Sequence, residues 1–136
     1  MRKFSLILLA IITLLIVAAC GDNDNSADDP ADELLALEVD FIVPESVELG
    51  ETVELKALVT YGDDIETDAV VKFEVWEAED VDRENSVMIE AENNGDGSYT
   101  AEYTFEEETV YEMYAHTDAQ NLHTMPKKEV KVGNAE

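Results

Sequence analysis

Asn93-Asn94-Gly95-Asp96-Gly97-Ser98-Tyr99-Thr100-Ala101-Glu102-Tyr103-Thr104-Phe105 decides the fold class. Its first five residues tolerate positive φ and read as a hairpin turn. After them Tyr99, Ala101, Tyr103 and Phe105 alternate with other residues, which is the period-two pattern of a strand with one buried face. On the other side of the turn Val87, Ile89 and Ala91 form a shorter run of the same period.

The pattern extends in both directions. Leu37, Val39, Phe41 and Val43 alternate up to Pro44 and Gly50; Val53, Leu55, Ala57 and Val59 alternate with Glu54 and Lys56 up to the turn Tyr61-Gly62-Asp63-Asp64. Val71, Phe73 and Val75 follow, then an acidic loop from Glu77 to Asn85. Downstream, Tyr111, Met113 and Ala115 make a sixth run, and Val130 with Val132 the inward side of a seventh. Seven short strands without a helical period predict an all-β, seven-stranded immunoglobulin-like antiparallel β-sandwich over residues 34–136. Tyr111, two residues before Met113, stands where such domains place a tyrosine corner. Trp76 has the parity of Lys72 and Glu74 and is expected on the outer face, capping an edge.

The chain begins differently. Met1-Arg2-Lys3 precedes the apolar run Phe4 to Ala19, which has the form of a secretory signal and is short for a membrane span of roughly 20 apolar residues. Val17-Ala18-Ala19-Cys20 resembles a bacterial lipobox. Residues 1–19 are therefore read as a lipoprotein signal peptide and Cys20, the single cysteine of the chain, as the lipid attachment point. Acyl chains at about 0.8 kcal/mol per buried methylene would hold the protein on a membrane, which predicts the extracytoplasmic face of the cell membrane. Residues 20–33 have no apolar periodicity and read as an acidic disordered tether. Asp22, Asp24, Ser26, Asp28 and Glu33 fall at calcium-loop positions, but Ala27 stands where that loop needs glycine.

Removal of residues 1–19 from the 136 leaves 117 residues, and takes two of the eight basic residues and none of the 33 acids, so the net charge moves from -25 to -27. Nucleic-acid binding is excluded, because it requires clustered Lys and Arg. Excess carboxylate reads as a solvated surface. An enzyme is not expected: no nucleophile elbow is visible, the cysteine is a lipid anchor, and a domain of this size offers little cleft for a carboxylate pair.

The chemistry-bearing residues gather in Ala115-His116-Thr117-Asp118-Ala119-Gln120-Asn121-Leu122-His123-Thr124-Met125-Pro126, which holds both histidines. Strict alternation puts His116 and Met125 on one outward face, nearly opposite across a loop of about seven residues that contains His123. Imidazole with thioether suits copper, the cuprous ion above all, since a thioether is a soft donor. His123-Thr124-Met125 resembles the His-x-Met half of periplasmic copper chaperones; Met88, also of outward parity, is the candidate for a further ligand. Two other readings stand beside it. One is a divalent site of His116, Asp118 and His123. The other is a loop packed on the end of the sandwich, with Met125 filling a gap and His123 capping a carbonyl.

Val71-Lys72-Phe73-Glu74-Val75-Trp76, Met88-Ile89-Glu90-Ala91, Gly95-Asp96-Gly97-Ser98-Tyr99 and His123-Thr124-Met125-Pro126-Lys127-Lys128, together with the signal, resemble the YtkA-like family of small Bacillus-type lipoproteins. The resemblance spans Leu34 to Gly133. It implies an immunoglobulin-like sandwich and a loose relation to FixH-type proteins, which are associated with cation handling and oxidase assembly. A histidine that relatives can carry near Ser86 is missing here. Two functions are thus expected to compete: a membrane-anchored lipoprotein that handles copper, and a metal-free domain that binds an envelope or membrane protein partner.

Overall fold

The computed structural model describes residues 34–136. The residues read as a signal peptide and tether, with Cys20 and the calcium-loop positions, lie outside the described residues. Eleven strands form, in the order β1 Leu37–Ile42, β2 Ser46–Val47, β3 Thr52–Tyr61, β4 Asp64–Ile65, β5 Val70–Glu77, β6 Val87–Glu90, β7 Glu92–Asn93, β8 Ser98–Thr104, β9 Val110–Ala119, β10 Leu122–Thr124 and β11 Lys127–Val132. No helix occurs among the described residues. The count exceeds the seven expected because β2, β4, β7 and β10 hold only two or three residues each, too few to show a period.

One sheet runs β1-β3-β8-β7, with β4 paired to β3; the other runs β2-β11-β9-β5-β6, with β10 paired to β9. Taking β1, β3, β8 and β7 as strands A, B, E and D, and β11, β9, β5 and β6 as G, F, C and C′, this is the immunoglobulin-like arrangement. The chain changes sheet around Pro44, so that β2 pairs with β11, in parallel, while the other strand pairs are antiparallel.

The alternating residues meet between the sheets. Phe41, Leu55, Val59, Phe73, Val75, Tyr99, Phe105, Met113, Val130 and Val132 are buried there, and each large apolar side chain contributes roughly 1.5–3 kcal/mol by leaving water. Tyr99 ties the core to the loop before β5: its hydroxyl accepts from the Ala69 amide at 3.0 Å and donates to the Glu66 carbonyl at 2.8 Å. Tyr111 is buried, at the position where such domains place a tyrosine corner. Its phenol is pushed up to about 12, by burial first and then by Tyr103 and Glu77.

The turn after β7 forms as its residues require, with Gly95 at φ 80° and Gly97 at φ 88°. Asp96 accepts from both the amide and the hydroxyl of Ser98, bonds that hold its carboxyl below the usual carboxylate range.

Candidate metal centre

The connection between the sixth and seventh expected strands is not a loop of seven residues. β9 continues to Ala119, turns through Gln120 and Asn121, and returns as β10. Both turn residues are left-handed, at φ 52° and 60°, as a two-residue type I′ hairpin demands. The turn is moored from below: Gln120 Nε2 donates to the buried carboxylate of Glu66 at 2.9 Å.

β10 and β11 share one register against β9. Thr124 faces Thr117 and Lys127 faces Tyr114, so Met125 falls opposite His116, and Pro126 opposite Ala115. Pro126 lacks an N–H and interrupts the ladder there, while its carbonyl still accepts from the Ala115 amide at 3.1 Å. His123 lies on β10, facing Asp118, not in a loop. Tight turn and common register together bring His116, His123 and Met125 to one corner of the outer face.

The two imidazoles sit with centroids 5.7 Å apart and planes at 31°. Each has one nitrogen held by a carboxylate. Glu74 Oε2 lies 2.7 Å from His116 Nε2, and Asp118 Oδ1 lies 2.8 Å from His123 Nδ1. These contacts leave Nδ1 of His116 and Nε2 of His123 as the nitrogens free to take another partner. A carboxylate on the far nitrogen is the usual support of a metal-bound histidine, fixing its tautomer and raising its basicity.

Glu74 is 7% exposed although it points away from the core. What covers it is the acidic loop after β5. Arg83, at φ 54°, folds back so that its Nη1 reaches the same Glu74 oxygen at 3.3 Å, and its guanidinium lies 5.3 Å from the Trp76 ring centroid and 5.4 Å from that of Tyr114. Trp76 has the outward parity expected of it, yet it is 4% exposed: Arg83 and Tyr114 flank it, and its indole donates to Glu112 at 3.1 Å. An aromatic row thus runs from Trp76 through Tyr114 to His116 and His123.

Met88 is not brought to this corner. It faces outward and is exposed, but it stands opposite Glu74 on β6, with β5 between it and the histidine-bearing β9. Two strand spacings, roughly 10 Å, separate those strands. Glu74 and Arg83 are the residues of this corner that alternation alone overlooks, because it gives a residue's face and not the neighbouring strand. The outward parity of Glu74, one strand from His116 once sheet order is known, is the signal that finds it.

The YtkA-like family model matches residues 33–116, which include Glu74 and His116. No curated protein matches the sequence. Among solved structures, a variant of superoxide reductase (neelaredoxin) from Ignicoccus hospitalis is similar with a TM-score of 0.50 at 14% identity, over 79% of this chain and 88% of that one. A second structure of that protein gives 0.49 at 15% identity, over 81% and 92%. Murine CRIg gives 0.41 at 12% identity, over 73% and 98%. At such identity the first likeness shows a shared fold and says nothing of a site.

Proposed function

The chain belongs to the YtkA-like family, and from that premise we propose that it is a lipid-anchored extracytoplasmic protein that binds copper at His116, His123 and Met125. The observation that carries this reading is the pair of imidazoles at 5.7 Å, each braced by its own carboxylate, with a thioether opposite one of them in register. Imidazole nitrogen alone would suit zinc, nickel or copper; a thioether donor narrows the set toward cuprous copper. The role is binding and transfer of the ion at the membrane surface, not turnover of a substrate. Cys20 is the anchor in this reading.

Glu74 and Asp118 would orient the rings without touching the ion, and Arg83 would balance the Glu74 charge from the side away from it. The test is an anaerobic cuprous titration of the full chain against a competing chelator. One site per chain, collapsing in His123→Ala, is the expected result; unchanged affinity in that variant ends the proposal.

A metal-free role has its own observation. β6 is the outer strand of its sheet and carries Val87 and Met88, both exposed, where an extended segment of an envelope partner could add a strand. Reproducible capture of one partner through β6, together with no cuprous binding, would favour it.

A further inference from the structure

Away from the histidines, at the end of the sandwich where β5 meets β6, lies a cavity of about 220 Å³. Tyr103 from one sheet and Tyr111 from the other line it, with Val87 beside them and Glu77, Asp80 and Asn85 at its rim. The two phenol rings are 6.3 Å apart at 69°, close to the corner of a box. Phe105 packs edge-on against both, at 4.9 Å and 5.1 Å, so the corner is held by the core. The rim is held as well, since Asp80 accepts from the amides of Asn85 at 2.8 Å and Glu84 at 3.3 Å.

Steeply inclined aromatic rings with carboxylates close by attract a cation whose shell is apolar, through the ring quadrupoles and the charge together. No lysine, arginine or histidine lines the cavity, so no cation there would pair with a phosphate or carboxylate on the ligand. The volume is below the ~300–1,000 Å³ of sites for drug-sized molecules. Burial, with Glu77 adding to it, keeps both phenols neutral far above neutral pH, so the rings do not compete with the ligand as charged groups.

We propose that this cavity binds a small alkylammonium cation of the choline type, one that carries no anionic group. Three methyls on a nitrogen fill the aromatic corner, and the positive charge rests between Glu77 and Asp80. The site is independent of the copper reading and uses none of its residues.

Isothermal titration of the full chain with choline, at moderate salt to screen the acidic surface, tests it. The expected result is saturable binding at one site, at least tenfold weaker binding of the neutral isostere 3,3-dimethylbutan-1-ol, at least fivefold weaker binding of choline in Glu77→Gln, and a change under twofold in the surface control Glu102→Gln. Tyr103→Phe keeps the ring and should keep binding, whereas Tyr103→Leu, checked for folding by its melting curve, should lose it. Absence of saturable binding, equal binding of the neutral isostere, or an equal loss in Glu102→Gln overturns the proposal. So does phosphocholine bound as tightly as choline, which would assign the site to a zwitterionic headgroup.

Discussion

Glu74 and His116, 42 residues apart in the chain, share a hydrogen bond of 2.7 Å on the outer face of the second sheet. The same carboxylate oxygen receives Arg83. A buried carboxylate flanked by two cationic or proton-bearing partners fixes the ring on one side of the corner while leaving the other side free.

Glu74→Gln should therefore weaken cuprous binding by about 10- to 100-fold, the usual cost of losing an outer carboxylate partner, while the fold persists. The measurement is the same chelator competition, with circular dichroism to confirm the sheet content. Affinity equal to that of the parent would show that Glu74 supports the structure only.

Met125→Leu separates copper from a divalent site. It keeps the volume and removes the sulfur, so cuprous affinity should fall at least tenfold and zinc affinity should change little. Asp118→Ala tests the opposite case: a larger loss for zinc than for copper would mean that Asp118 binds the ion itself.

Arg83→Ala uncovers the single tryptophan. Trp76 emission should move to longer wavelength, and stability should drop by about 1 kcal/mol, the order of a partly buried cation–π contact. An unmoved spectrum would mean that Tyr114 and Lys127 alone keep water away from the indole.

Alkaline pH should loosen the sandwich. Tyr111 has its phenol raised to about 12 in the folded chain, from about 10 when unfolded, so between those values the unfolded state releases the proton first. Its contribution to stability is complete below pH 10 and is lost as pH rises toward 12. Urea midpoints at pH 8, 10 and 11 should decline in that order, and in Tyr111→Phe the decline should be shallower, with Tyr99 and Tyr103, both also raised by burial, supplying what remains.

Alternation finds the long strands because every second residue of each lines the core: Val71, Phe73 and Val75 on β5, or Tyr111, Met113 and Ala115 on β9. The turn at 94–97 was legible because it is written in asparagine and glycine. Gln120–Asn121 carries no glycine, and a hairpin without that mark reads as loop; its left-handed backbone is held by Gln120's bond to Glu66, a contact 54 residues long. Outward parity for His116 and Met125 follows from counting, and their opposition follows from register. Glu74 and Arg83 depend on which strand lies beside which and on a loop folding back over the sheet, and period carries neither.

Pro126 and the two-residue turn make the proposed copper corner almost wholly local. His116, His123 and Met125 lie within ten positions, and a hairpin of that size closes in about 1–10 μs, whereas Glu74 must come from a distant strand. The donors should thus meet early, and the carboxylate beside His116 should arrive when the sandwich closes around it. An ion present during refolding should speed the folding limb of the chevron, while Glu74→Gln should mainly hasten unfolding. Capture and retention of the ion would then belong to different moments in the life of the chain: the hairpin takes hold first, and the finished sheet closes the grip.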